Sequence, residues 1–462
     1  MPAGLSEKIK IGFWGNANNY PFMLARTFRK QGHEVLFIID DDQRLNRPEN
    51  RFNDITLPYP AWIKDYSPMP LWLSCNIISP DKKKQVISDL QSCDLIILNG
   101  YAMRFATEIK KPHVTLITGS DLDPLANYGY LKKLKQDYLE SLTTSNLIPK
   151  GSKTSKILNN KFALNICENL TRFKRFSCYD ENQYFSTKNS TFYSVFFVAG
   201  YFRWLKTQIR NQREAIKNAI AFTYFSKGLV PYGEQLLKEI GANQKKRLFN
   251  LMIDSESISV VSPPKNEVIR IFNLARFNWI KDPSSPSDFI SLDYKGNDIM
   301  IKGIHLFTLK YPETKLNIHF VKKGKDVNSS MALCDKLGIS KHLTWHSEFS
   351  QKELLEEYKK ADIVFDQMGK SVVAMGGFEA MAMGRPLIAN ARPEVFDKIL
   401  GEETSICHAQ TPEEVCNWIE KLVFNPGLRD SIGKKSRQFV EKHFSTQKMA
   451  ERILNAYNLS QN

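Results

Sequence analysis

The densest chemistry in the sequence lies in Asp366-Gln367-Met368-Gly369 and in the string Gly376-Gly377-Phe378-Glu379-Ala380-Met381-Ala382-Met383-Gly384-Arg385-Pro386-Leu387-Ile388. These letters read as a strand ending at Asp366, a glycine loop, a helix opening beside Glu379 and a Gly-x-Pro turn into another apolar strand. A glycine loop at a helix N-terminus presents unpaired backbone N–H groups, so Gly376 and Gly377 would offer donors to a phosphate. A carboxylate in the first turns of that helix, here Glu379, can accept hydrogen bonds from both hydroxyls of a ribose. An amphipathic helix ended by a glycine turn accounts equally well for Ala380-Met381-Ala382.

Three other loops place chemistry at strand ends. Lys10-Ile11-Gly12-Phe13-Trp14-Gly15 is an apolar run closed by glycine, followed by Asn16, Asn18 and Asn19. Asparagine tolerates left-handed backbone and donates hydrogen bonds, so Gly15 and Asn16 suit a loop that meets a phosphate. Thr118-Gly119-Ser120-Asp121 closes another run. Asp121 could bond a substrate hydroxyl, and Ser-Asp ahead of Leu-Asp-Pro is equally a helix-capping turn. Lys323-Gly324-Lys325-Asp326 follows the apolar LNIHFV run, with Gly324 turning the chain from strand to helix. The eight histidines show no ligand spacing, so no metal site is expected.

The elements that must position these loops alternate strand and helix. Lys10–Gly15, a helix over about Pro21–Gln31 and the HEVLFIID run from His33 make one βαβ unit with a parallel sheet. DLIILNG from Asp94 and HVTLITG from His113 add continuous apolar runs, which suit strands buried on both faces. Periodicity weakens over about 146–191, read as an insertion or a mobile connection. A second strand–helix series starts at Val268 and continues through LNIHFV, His342–Trp345, ADIVFD and PLIAN; Pro412–Tyr457 is helical almost throughout. The fold class expected is therefore α/β, two doubly wound Rossmann-type domains facing a cleft, where such sheets bind ligands. The boundaries expected are residues 1–262, residues 263–440, and a C-terminal helix over 441–462 crossing back to the first domain.

Bulk properties narrow the partner. The chain has 462 residues, formal charge +15 and 42% hydrophobic residues, which predicts folded domains with an anionic partner. Without a zinc-finger, RNA-recognition or helix-turn-helix signature, nucleic acid is not expected. The seven cysteines are scattered with no Cys-x-x-Cys, and Met1–Lys10 lacks an apolar signal core, which together point to a cytoplasmic protein or one peripheral on the cytoplasmic face.

The string Glu379-Ala-Met-Ala-x-Gly-x-Pro-Leu-Ile resembles the donor-site helix of retaining glycosyltransferases of GT-B fold, the large family four. The resemblance covers roughly Arg270–Tyr457, and over the first domain it rests on layout. It implies a ribose contact for Glu379 and a place near the diphosphate for Gly376 and Gly377. Where the family usually carries another glutamate upstream, this sequence has Ser371; Asp366-Gln367 resembles a variant that also lacks it. The family's diphosphate Arg and Lys match Arg276, at the end of IFNLAR, and Lys295 of Lys295-Gly296-Asn297-Asp298, with Lys281 a competitor for Lys295. Two fixed cations there would neutralise a departing nucleoside diphosphate. Gly324 matches the turn beneath the nucleotide, and Gly15 with Asn16 the loop meeting donor phosphate and acceptor. The implied activity transfers a sugar from a nucleoside-diphosphate sugar to a cell-envelope, polysaccharide or lipid-linked acceptor. It would be retaining, metal-independent and without a cofactor. A GT-B-fold sugar-nucleotide epimerase and a non-catalytic scaffold subunit are the rival readings.

One feature stands apart from this site. Phe192 to Trp204 is rich in aromatics and is followed by Lys206, Arg210, Arg213 and Lys217. The segment reads either as a core helix with a solvated basic face or as one lying on an anionic membrane surface.

Overall fold

The computed structural model describes residues 8–69, 80–118, 122, 125–171, 191–225, 229–249, 251–280, 294–369 and 373–461. Two compact units emerge. The first comprises Met1–Tyr224, Leu236–Asn250 and Ile453–Asn462, and the second Phe225–Gln235 and Leu251–Arg452.

The first unit is built on strands β1 (Lys10–Trp14), β2 (Glu34–Ile39), β3 (Ile63–Asp65), β4 (Leu95–Asn99), β5 (His113–Leu116), β6 (Ala221–Tyr224) and β7 (Arg247–Phe249). They form one sheet in the order β3-β2-β1-β4-β5-β6-β7, and every neighbouring pair is parallel. Parallel neighbours need crossovers, which helices supply. These are α1 (Tyr20–Lys30), α2 (Pro80–Gln91), α3 (Ala106–Ile109), α4 (Tyr128–Thr144), α5 (Lys153–Asn159), α6 (Lys161–Leu170), α7 (Thr191–Asn218) and α8 (Pro231–Ile240), of which only the part from Leu236 on belongs to this unit. All five residues of β4 are buried, as a strand covered on both faces requires.

The stretch expected to be an insertion or mobile connection contains helices α5 and α6. With α4 and α7 they enclose a satellite core of Leu142, Leu158, Phe197, Val198, Tyr201, Phe202 and Leu205. From Phe197 on, the aromatic run of α7 faces protein, with Phe197 3% exposed and Phe202 fully buried, while Phe192 and Tyr193 at its start are exposed. Over Phe197–Leu205 the helix is therefore part of a core, as one of the two readings of that run expects.

The second unit carries β8 (Arg270–Asn273), β9 (Asn317–Val321), β10 (Leu343–His346), β11 (Ile363–Phe365), β12 (Leu387–Ala389) and β13 (Cys407–His408). Their sheet runs β10-β9-β8-β11-β12-β13, again parallel throughout. Its helices are α9 (Asn297–Lys310), α10 (Val327–Lys336), α11 (Gln351–Lys360), α12 (Met375–Ala382), α13 (Pro393–Leu400), α14 (Pro412–Phe424), α15 (Pro426–Phe444) and the start of α16 (Thr446–Gln461), whose residues from Ile453 on belong to the first unit. Within each sheet the winding direction reverses once, between β1 and β4 and between β8 and β11. The C-terminal ends of those strand pairs are the topological switch points where doubly wound sheets hold ligands.

Candidate functional site

At the switch point of the second unit, β8 ends at Asn273, and Arg276 lies in the loop beyond it rather than in the strand. Asn273 is fully buried and its amide bonds both the N–H and the carbonyl of Ala275, which fixes the start of that loop. Arg276 is exposed, and among the described residues its guanidinium has no hydrogen bond or ion pair.

The next residues tie three loops together. Phe277 N–H donates to the Lys323 carbonyl, and its own carbonyl accepts from Asp326 N–H. Asn278 accepts from Lys325 N–H through Oδ1 and donates its backbone N–H to Asn297 Oδ1. Gly324 sits at φ +110°, and a β-carbon there would come within 2.6 Å of the Phe277 carbonyl oxygen. Only glycine satisfies both the backbone angle and the close approach. The Asp326 carboxylate accepts from Trp279 and Ile280 N–H groups, holding the other side of the turn.

Lys295 is half-buried immediately before α9. Its N–H donates to the Asn278 carbonyl at 2.7 Å, and its carbonyl accepts from Met368 N–H at 2.8 Å and Gly369 N–H at 3.1 Å. The Lys295 backbone is thus clamped between the loop after β8 and the loop after β11. The fit is tight, since a β-carbon on Gly369 would lie 2.0 Å from the Tyr294 carbonyl oxygen.

Asp366 directly follows β11 and is 5% exposed. Its Oδ2 accepts from Ala374 N–H at 2.6 Å, which seats the start of α12 on the sheet edge. Burial raises its pKa above the ordinary carboxyl value, opposed by the backbone N–H groups of Ala374 and Gln367 and by the Lys295 charge. The first turn of α12 presses on two groups: a β-carbon on Gly377 would lie 2.7 Å from Asp366 Oδ2, and one on Gly376 would lie 2.7 Å from the Tyr358 hydroxyl. The opening N–H groups of a helix have no intrahelical acceptor, and among the described residues those of Met375 and Gly376 donate to no other partner, which suits them to an anion.

Glu379, one turn further along α12, is 3% exposed. Its Oε1 accepts from Gln351 Nε2 at 3.0 Å, linking it to the first residue of α11. Tyr358, also on α11, is fully buried, and its hydroxyl has no hydrogen-bond partner among the described residues. Burial, with the Glu379 and Asp366 charges nearby, raises that hydroxyl's pKa well above its ordinary value.

The corresponding edge of the first unit holds Gly15 at φ +93°, where a β-carbon would come within 2.1 Å of the Asn99 carbonyl oxygen. The side chain of Asn16 is committed to the protein. Its Nδ2 donates to Asn19 Oδ1 and to the Asn46 carbonyl, and its Oδ1 accepts from Phe22 N–H. Asn18 and Asn19 take left-handed backbone at φ 54° and 59°. Asp121, Lys281 and Ser371 lie outside the described residues.

The structure thus gathers Asp366, Gly376, Gly377, Glu379, Lys295 and Gly324 at one sheet edge, with Arg276 in the loop they brace. Gln351, Tyr358 and Asn278 belong to the same edge and carry no signature in the sequence. Each bonds or packs across more than fifteen residues of chain, and single-sequence spacing does not report such pairings. Among the described residues, no group of three or more His, Cys, Asp and Glu side chains is arranged to hold a metal ion.

Residues 291–439 match the family described as glycosyl transferases group 1. The matched stretch lies within the second unit. That region contains Lys295, Gly324, Asp366, Gly376, Gly377 and Glu379, while Arg276 precedes it. The chain is 30% identical over 121 residues to spore coat protein SA of Bacillus subtilis, covering 25% of this chain and 32% of that protein. It is 23% identical over 171 residues to a D-inositol 3-phosphate glycosyltransferase of Corynebacterium jeikeium, covering 35% of this chain and 40% of that protein. The matched stretches therefore span about a third to two fifths of these curated relatives. The crystal structure of Anabaena HepE in complex with UDP and glucose superposes with a TM-score of 0.53 at 12% identity, over 98% of this chain and 100% of that one. At that identity the likeness establishes the fold, which is GT-B: two α/β units, each on a parallel sheet.

Proposed function

We propose that this chain is a glycosyltransferase that takes its sugar from a nucleoside diphosphate, bound at the switch point of the second unit. One observation carries the reading. A lysine whose backbone is clamped before α9, the N-terminus of α12 and a buried glutamate on that helix lie at one sheet edge within the matched region. Glu379 would accept from the ribose hydroxyls, and the α12 N-terminus and Lys295 would face the diphosphate. Arg276, exposed and unpaired among the described residues, would add a second cation as negative charge develops on the leaving phosphate. With these groups supplying the neutralisation, the reaction needs neither metal nor cofactor. Retention of anomeric configuration and a cell-envelope, polysaccharide or lipid-linked acceptor follow from the family resemblance, with Asp121 as the acceptor-side contact. The presence of UDP in the HepE complex makes uracil the first base to try.

The test is calorimetric titration with UDP-, GDP- and ADP-sugars, followed by an assay for sugar release. Binding of one donor class with slow hydrolysis supports a transferase. Interconversion of the sugar without release identifies an epimerase, and failure to bind any donor leaves a scaffold.

A further inference from the structure

The helical layer over the first unit exposes an apolar stripe that nothing in the glycosyl-transfer reading uses. Helix α6 leaves Phe162 76% exposed, Ile166 45% and Leu170 51%. The three residues are spaced four apart and so lie along one face. The helix's other face is also apolar: Leu164 and Cys167 pack on the cluster formed by α4, α5 and α7. A helix apolar on opposite faces is ordinarily buried on both, and among the described residues the outer stripe of α6 has no cover.

The charge around it indicates what the cover is. Residues 128–171 contain seven lysines against three acidic residues, and Lys132, Lys133, Lys150, Lys153 and Lys156 are exposed. One further lysine, Lys135, is paired with Glu168. A second copy of this layer would bring like charges together. An anionic lipid surface supplies the opposite charge and an apolar interior at the same time. We propose that α6 is the membrane-contacting element of the protein: it beds Phe162, Ile166 and Leu170 among the acyl chains of an anionic bilayer while the lysines of α4 and α5 meet the headgroups. No described helix is long and apolar enough to cross a membrane, so the contact would be interfacial. The inference rests on the first unit alone and stands or falls separately from the donor site.

The experiment is co-sedimentation of the full chain with vesicles of phosphatidylcholine, with and without about 30% phosphatidylglycerol, alongside thermal melting. The parent should bind the anionic vesicles, more weakly but still measurably at high salt, because insertion of the stripe is not screened. Phe162→Ser, Ile166→Ser and Leu170→Ser combined should lower partitioning by roughly a hundredfold with the melting temperature held, since the three side chains are exposed in the free protein. A control, Phe197→Ser, removes a buried ring and should collapse the melting temperature instead. The proposal is overturned if the parent ignores anionic vesicles at low salt, or if the triple variant binds them as well as the parent. It is equally overturned if the stripe proves to hold a concentration-dependent dimer in sedimentation equilibrium. A donor titration unchanged by the triple substitution would show that the two sites are separate.

Discussion

Glu379 offers the sharpest test of the donor site, because its environment fixes both the size and the selectivity of the expected loss. The carboxylate is almost fully buried and one oxygen is already engaged by Gln351 at 3.0 Å. A hydrogen bond to a charged group contributes about 1.5–3 kcal/mol. Replacing Glu379 with Ala should therefore weaken nucleoside diphosphate binding by roughly 12- to 160-fold. Alanine also opens a small cavity, so Glu379→Gln, which keeps the volume and removes the charge, separates chemistry from packing. The loss should be specific to the sugar hydroxyls. The parent should prefer UDP over its 2′,3′-dideoxy analogue, and that preference should shrink toward unity in both variants. Calorimetry with the two ligands on three proteins forms a thermodynamic cycle whose coupling energy isolates the contact. If either variant discriminates between the ligands as strongly as the parent, Glu379 does not hold the ribose, whatever its effect on affinity.

Arg276→Ala and Lys295→Ala should each lower kcat more than they raise the donor KM, because the charge they meet develops as the bond breaks; steady-state kinetics with Lys281→Ala in parallel decides which lysine acts, and a silent Lys295 with an impaired Lys281 would transfer the role. Gly324→Ala should destabilise the second unit, since the substitution is strained at φ +110° and crowds the Phe277 carbonyl; an unchanged urea midpoint would show that the loop relaxes freely. His319 is buried beside Arg270 and stacked on His346, with its Nδ1 2.7 Å from His346 Nε2. Burial first, then the Arg270 charge, lowers its pKa from 6.5 to about 4. In that window the unfolded chain takes up a proton that the folded protein refuses, so stability should fall as pH drops from about 6.5 toward about 4. Urea unfolding at neutral and mildly acidic pH should show a shallower fall for His319→Gln than for the parent.

The sheets were legible in the sequence where burial is complete. Strands β1, β2, β4 and β5, and β8, β9, β11 and β12 in the second unit, are largely apolar runs because helices cover both of their faces; β10, with no fully buried residue, is the exception. The strands that escaped notice include β6 (Ala221–Tyr224), buried throughout between β5 and β7; the other three are short or peripheral. β3 spans Ile63–Asp65 with two exposed residues, β7 is Arg247–Phe249, and β13 has two residues. At such lengths pairing to a neighbour decides the structure, and periodicity has no room to show. Helices α5 and α6 were missed for a different reason. Ser152 caps α5 and Asn160 caps α6 through side-chain bonds to the first-turn N–H groups. The outward apolar residues of α6, however, blur the alternation of faces by which a surface helix is usually known.

At the site, residue types were legible but the division of labour was not. A string such as Gly376-Gly377-Phe378-Glu379 announces a helix N-terminus with a carboxylate behind it, because local geometry alone produces both. Whether a polar side chain is left for a ligand depends on what reaches it from elsewhere in the chain. Asn16 looked suited to a phosphate loop, yet both its donors are consumed by Asn19 and Asn46, so any ligand contact there must come from backbone. Asp366 likewise spends an oxygen on Ala374 and acts by seating α12. Arg276 is the opposite case, exposed in a loop that Asn273, Phe277 and Asn278 hold from behind. A cation kept accessible on a braced backbone loses little entropy when it meets an anion, whereas one already paired must first give up its partner. The surrounding bonds of the folded chain therefore separate the residues that build this edge from those it leaves to react.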